Sequence, residues 1–253
     1  FDPNAYGIHH EAFGCDTGSA TCKCKLSGSL YIPSSVKRIA PRAFRACDGF
    51  TGSLILESGI EHVGMEAFEQ TSFTGNLFIP GSIAEIHTNS FRYMTSVTGT
   101  LTIGNGITRI GAQAFRGSTF TGSLTIPGSV LIVETSAFYA TLGLSALVIS
   151  EGVQALSTSS FSCSGSTSSG PGNCDGPTPG ICGTLTLPSS LVSIGTNAFQ
   201  YCGGLNPISI HVSTTCSACT YMHVGNSLQL VTPDCTGLPC TSWTGTVGPV
   251  TWS

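Results

Sequence analysis

One phrase recurs seven times in this chain. It reads Leu-x-Ile/Leu, commonly Pro, two small residues, Val/Ile, a further Ile/Val, then Ala-Phe or Ser-Phe. The copies start at Leu30, Leu54, Leu77, Leu101, Leu124, Leu147 and Leu185. Successive starts among the first six lie 24, 23, 24, 23 and 23 residues apart. The closing rings keep step at Phe44, Phe68, Phe91, Phe115, Phe138, Phe161 and Phe199. A period of this length with fixed apolar positions specifies a solenoid. Each repeat is one coil that cannot bury its apolar face alone and must stack on its neighbours.

The chemistry within a coil follows from side-chain alternation. Leu-x-Ile points its first and third residues inward from a short parallel strand and its middle residue outward. The outward positions form one surface column: Tyr31, Ile55, Phe78, Thr102, Thr125, Val148 and Thr186. The first three make an apolar patch, and contiguous exposed apolar residues mark contact surfaces. Pro33, Pro80, Pro127 and Pro188 remove a backbone donor and end the strand. Val36 with Ile39, or Val130 with Val133, point inward from a second face. The Ala-Phe step is predicted on a short helical turn, its ring plugging the interior. Gly28, Gly52, Gly75, Gly99, Gly122 and Gly183 precede the strands, where a corner needs an unusual backbone angle or a close approach. The expected fold is a repeat solenoid of about 7–9 coils stacked roughly 4.8 Å apart.

The copies at Leu30 to Phe44 (LYIPSSVKRIAPRAF) and Leu185 to Phe199 (LTLPSSLVSIGTNAF) closely resemble the BspA-like class of leucine-rich repeats. The resemblance covers roughly residues 26–205. It implies a leucine-rich-repeat solenoid of the secreted and cell-surface kind found in bacteria and microbial eukaryotes, often in adhesins. It carries over no catalytic residues.

Irregular segments bound the repeats. Residues 1–27 hold a degenerate half-coil, Ile8 to Phe13, and a Cys-rich turn, and are read as an N-terminal cap. Residues 28–212 are the solenoid, interrupted by a Ser/Gly/Pro-rich insertion at 163–182, with a last strand expected near Ile208 and Ile210. Residues 213–253 are a C-terminal cap. The twelve cysteines form three groups of four. These are Cys15, Cys22, Cys24 and Cys47; Cys163, Cys174, Cys182 and Cys202; and Cys216, Cys219, Cys235 and Cys240. Each group flanks an irregular segment that lacks the repeat's stacking, so disulfide pairing within groups is expected, in an oxidising, extracellular compartment. The chain opens on Phe1, as expected of a mature product or a fragment whose leader has been removed. No run of 18 apolar residues occurs, so no membrane-spanning helix is expected.

Charged residues make up only 9% of the chain, far below the roughly 25% usual for globular proteins. A net charge of −4 argues against a nucleic-acid partner. Six of the nine basic residues lie before residue 50, and none follows Arg116, so one end of the rod is basic. No phosphate loop, nucleophile elbow or metalloprotease helix occurs. Cys216 and Cys219 with Cys235 and Cys240 have a spacing that could hold zinc, but the setting favours disulfides. His62, His87, His211 and His223 fall on different coils without a shared pattern. The reading is therefore non-enzymatic, without cofactor or metal. Glycans would be O-linked, at Ser164, Ser166, Thr167, Ser168, Ser169 and Thr178 of the insertion, because no Asn-x-Ser/Thr sequon occurs. The expected function is an extracellular structural or adhesive protein assembling end to end with itself, or contacting other extracellular proteins or glycans. The alternatives are a monomeric receptor or adhesin module and, last, an ice-binding protein using the Thr positions.

Overall fold

The structure is a computed structural model. It describes residues 7–14, 24–163, 181, 183–200 and 202, and the backbone of strands Leu205–Val212, Thr220–Val224, Ser227–Val231 and Trp243–Val247. Parallel strands stack coil upon coil in a solenoid. The second face is one continuous eight-stranded sheet: Gly7–Ile8, Arg38–Ile39, His62–Val63, Glu85–Ile86, Arg109–Ile110, Ile132–Val133, Ala155–Leu156 and Ser193–Ile194. Its register stacks Ile8 on Ile39, Ile39 on Val63, Val63 on Ile86 and Ile86 on Ile110. The half-coil at Ile8 to Phe13 therefore joins the stack.

The first face, built by Leu-x-Ile, is not continuous. Leu30–Ile32 pairs only with Leu54–Leu56, and Leu77–Ile79 only with Leu101–Ile103. Thr119–Ile126, Leu142–Ile149, Gly183–Leu187 and Leu205–Val212 then form a parallel run, closed by antiparallel Trp243–Val247. The last expected strand is present, with Ile208 on Leu185 and Ile210 on Leu187.

Proline explains where the first face breaks. In the second, fourth and sixth copies the position after the strand is Glu57, Gly104 or Ser150. Each amide there donates to the strand below, at Ile32 O (3.1 Å), Ile79 O (2.8 Å) and Ile126 O (3.0 Å). In the third, fifth and seventh copies the same position is Pro80, Pro127 or Pro188 and has no N–H to give. The ladder breaks at Pro80 and Pro127. At Pro188 it stops one pair short, ending at Val148 on Thr186, whereas the preceding pair of strands continues to Ile126 on Ile149. The turns alternate in step. Gly59, Gly106 and Gly152 donate their amides to the hydroxyls of Ser82, Ser129 and Ser190 on the next coil, at 3.0, 3.1 and 2.8 Å. The corners alternate too: Gly75 adopts φ +78, whereas a Cβ on Gly99 would lie 2.3 Å from Asn76 Oδ1 and 2.5 Å from Gly75 backbone atoms. The structural unit is thus a pair of coils, and 47 residues separate Leu30 from Leu77 and Leu77 from Leu124.

Two expectations are corrected. The first face's longest parallel run has four strands, closed by an antiparallel fifth, so about 7–9 coils slightly overstates the regular stack. The Ala-Phe segments are not helical; there is no helix among the described residues. Around Phe115, the amides of Gln113, Phe115 and Gly117 donate to Thr135, Ala137 and Tyr139 of the next coil at 2.8–3.0 Å. The intervening amides of Ala114, Arg116 and Ser118 turn back three residues within the coil, each at 3.2 Å. A helix would direct every N–H along its own segment and leave the coil interface without hydrogen bonds. Aiming every second one outward requires left-handed residues on both sides of the ring, such as Gln113 (φ 56) and Gly117 (φ 66), or Ser136 (φ 56) and Ala140 (φ 54). That geometry costs about 1–2 kcal/mol per non-glycine residue.

These turns carry a column of rings. Phe13, Phe44, Phe68, Phe91, Phe115, Phe138, Phe161 and Phe199 stack in succession, with centroids 4.9–5.6 Å apart and planes within 14°. A second buried column runs beside it through Phe50, Phe73, Val97, Phe120, Leu144 and Ile181. Disulfides join Cys24 to Cys47 and Cys163 to Cys202, both within the expected groups. The other eight cysteines and the six expected glycan sites lie outside the described residues.

Candidate functional site

Strand alternation sets out the predicted outward column. Tyr31 pairs with Ile55, Phe78 with Thr102, Thr125 with Val148, and Val148 with Thr186. Tyr31, Ile55 and Phe78 are 55%, 48% and 46% exposed, whereas the residues flanking them in the strands are buried or, at Leu30, half-buried. Thr102 and Thr125 are exposed; Val148 and Thr186 are half-buried. The Tyr31 hydroxyl donates to Glu57, whose other oxygen accepts the Ser34 amide at 2.8 Å. Its bond to Glu57 raises the Tyr31 hydroxyl pKa, and the bonds from Tyr31 and the Ser34 amide lower that of the Glu57 carboxylate. The first ring of the patch is thus held in place by a polar anchor. Beyond Phe78, an open depression of about 260 Å³ is lined by Leu101, Thr102, Asn105, Thr125 and Pro127. It lies at the break between Leu101–Ile103 and Thr119–Ile126, so the missing proline donor and the depression share one place.

The other sides are largely committed to the frame. Arg42 bonds Glu66 through Nε at 2.8 Å and reaches Glu11 at 3.5 Å. The Glu66 contact, with Glu11 behind it, raises the Arg42 pKa. Arg45 meets Glu66 (3.4 Å) and Glu69 (3.0 Å), and Arg92 meets the buried Glu69 from the other side at 3.3 Å. Lys37 pairs with Glu61 at 3.6 Å. Lys37, Arg42 and Arg45 are therefore neutralised by carboxylates one coil on, which weakens the picture of a free basic end. Threonine hydroxyls are used as well: Thr74 donates to Thr51 O, and Thr121 to Thr98 O, both at 3.1 Å.

The structure brings together two residues that sequence reasoning left apart. The rings of His62 and His87, on adjacent coils, lie edge to face with centroids 4.6 Å apart. His62 is half-buried; burial, then the neighbouring His87 and Arg38, lower its pKa against an opposing pull from Glu85. The signal was present in the spacing: Glu85 takes the position one repeat after His62, and His87 lies two residues beyond it, on the same side by alternation. Likewise Arg45, Glu69 and Arg92 alternate in sign at one-repeat intervals and announce their own ladder. Among the described residues, no group of three or more His, Cys, Asp or Glu is placed to hold a metal ion. The Cys216 to Cys240 group lies outside the described residues, as do the side chains of His211 and His223.

The repeat pattern now has a physical frame and can be compared with known families. The model for the BspA type leucine rich repeat region matches six copies, over residues 18–100, 95–169 and 182–231. The chain belongs to this family. No curated protein matches it. Among solved structures it is similar to a leucine rich cell surface protein from Faecalibacterium prausnitzii, with 20% identity and a TM-score of 0.45 over 79% of this chain and 44% of that one. It is also similar to a leucine-rich repeat protein from Bacteroides ovatus, with 17% identity and a TM-score of 0.42 over 82% and 59% of the two chains. The pneumococcal vaccine antigen PcpA gives 16% identity and a TM-score of 0.35 over 81% and 67%. This BspA-type chain thus spans about half the length of the first two.

Proposed function

We propose that this BspA-type chain is a non-catalytic, extracellular or surface-exposed interaction scaffold that docks a protein or glycan partner on its first face. The observation that carries the reading is the Tyr31, Ile55 and Phe78 column: Tyr31 and Ile55 in register, Phe78 at the matching position of the next coil, all three exposed on a rod whose polar groups mostly bond one another. Contiguous exposed apolar surface on a well-satisfied frame marks contact. A solenoid face suits extended contact because it grows with coil number. Family membership and the disulfides agree with an oxidising, external setting. No helix among the described residues is long and apolar enough to cross a membrane.

The test is binding of the whole chain to arrays of extracellular-matrix proteins and glycans. Ile55→Ser combined with Phe78→Ser is expected to abolish the signals while leaving the melting temperature nearly unchanged, since both side chains point to solvent. Undiminished signals from a folded double variant would overturn the choice of face. End-to-end self-assembly draws support from Gly7–Ile8, which stands at the outer edge of the eight-stranded sheet with no further strand paired to it among the described residues. Sedimentation at rising concentration separates the two readings: a monomer that still binds the arrays supports the scaffold alone. Ice binding loses support, because Thr74 and Thr121 spend their hydroxyl protons on carbonyls and Val148 interrupts the outward Thr residues.

A further inference from the structure

We infer that His62 and His87 form a two-imidazole site for a divalent transition metal ion on the second face of the solenoid. His62 faces out of strand His62–Val63, and His87 follows Glu85–Ile86 on the next coil. Val63 pairs with Ile86, so alternation turns His62, Glu85 and His87 to the same side. The two ring centroids lie 4.6 Å apart at an interplanar angle of 62°. Imidazole nitrogens bind Zn²⁺ at about 2.0–2.1 Å, and rings at this separation can direct one nitrogen each to a shared ion through small side-chain rotations.

The surroundings hold the two rings together. Both rings are half-buried and in contact, His62 on its strand and His87 directly after the next one. A neutral imidazole is the form that binds a metal. The formal charges nearby largely cancel: Lys37 pairs with Glu61, and Arg109 bridges Glu85 and Glu134. Arg38, in register with His62, is the one opposing charge in the row, while Glu85 attracts. Two imidazoles leave the remaining coordination positions to water, and imidazole donors select Zn²⁺, Cu²⁺ or Ni²⁺ over Mg²⁺ or Ca²⁺.

The experiment uses the full, disulfide-intact chain with Cu²⁺ alone, followed by calorimetry and electron paramagnetic resonance, and repeats the calorimetry with Zn²⁺. One equivalent of Cu²⁺ is expected to bind with superhyperfine splitting from two nitrogens. His62→Gln and His87→Gln should each weaken binding at least tenfold and remove one nitrogen from the spectrum. The His9→Gln/His10→Gln double variant should leave both readouts unchanged. Arg38→Gln should tighten binding several-fold. Full affinity in either single variant, loss of binding in the His9/His10 variant, or no binding by the native chain would overturn the assignment. Thermal melting confirms that each variant is folded, which both half-exposed positions permit.

Discussion

Replacing Phe115 by Ala tests the ring column at its centre. The side chain is fully buried, and it stacks on Phe91 at 5.4 Å and Phe138 at 5.0 Å, with Phe120 edge-on at 6.0 Å. Phe→Ala in a core costs about 3–5 kcal/mol, counting lost transfer free energy and the cavity left behind. Three ring contacts, each worth roughly 0.5–1.5 kcal/mol in part beyond area, place this site at the upper end, about 4–5 kcal/mol. The backbone cannot collapse into the space, because the Phe115 amide is tied to Ala137 O and the Phe91 amide to Ala114 O, at 2.9 Å or less. Phe13 offers the contrast. It is 45% exposed and stacks on Phe44, so Phe13→Ala should cost only about 1 kcal/mol. Urea denaturation followed by circular dichroism reads both. With a slope near 3–4 kcal/mol/M for a chain this size, Phe115→Ala should lower the midpoint by roughly 1 M or more. Phe115→Leu should recover most of the loss. If Phe115→Ala cost no more than Phe13→Ala, the column would be packing filler rather than the main tie between coils.

Three further outcomes follow from single positions. Ser160 is fully buried and its hydroxyl has no partner, while Ala137 and Ala198 fill the same place on the adjoining coils. Ser160→Ala should therefore stabilise by about 0.5–1.5 kcal/mol, whereas Ser90→Ala, which loses a 2.7 Å bond to His87 O, should destabilise by a similar amount in the same melt. Ala140→Gly should gain roughly 0.5 kcal/mol, the relief of its left-handed backbone slightly exceeding the entropy that glycine adds to the unfolded chain. Burial raises the Glu151 pKa, but bonds from the Ser189 amide (2.8 Å), the Ser189 hydroxyl (2.9 Å) and the Ser190 amide (3.2 Å) outweigh it and hold the group below its ordinary value of 4.5. The unfolded state thus takes up this proton first. The stabilisation is complete above pH 4.5 and is lost as pH falls through the lower folded value. Hydrogen exchange, corrected for intrinsic rates, should show the Gly183–Leu187 strand loosening in acid before the central coils, and Glu151→Gln should flatten that dependence.

The repeated Leu, Ile and Phe were enough to read the solenoid and its outward column, because burial imposes an alternation that survives variation in the surface residues. The cysteine groups likewise foretold the Cys24–Cys47 and Cys163–Cys202 pairings at group level. The turn at Ala-Phe was misread. Short Ala-rich steps suggest helix by local propensity, but coil-to-coil hydrogen bonding overrides propensity and drives residues such as Gln113 and Ser136 left-handed. No single-residue preference announces that. The pairing of coils was legible and passed over: Pro33, Pro80, Pro127 and Pro188 alternate with Gly59, Gly106 and Gly152 in the turn phrases, and the 24/23 spacing accompanies them. The His62–His87 contact escaped because Glu85, rather than a second histidine, takes the position matching His62, while His87 stands two residues further on, where alternation returns it to the same side.

The alternating corners set a rule for how such a chain can change length. Excising residues 77–123 would join Asn76 to Leu124 and leave a corner like Gly75 where the sequence already has the matching Gly122, at φ +78 and +76. Excising residues 54–76 would instead set the close-packed Gly52 corner before Leu77 and put two proline-bearing turns, at Pro33 and Pro80, on adjacent coils. Gene duplication or deletion is therefore tolerated in whole pairs, and the natural currency of inheritance in this rod is about 47 residues rather than one copy of the phrase.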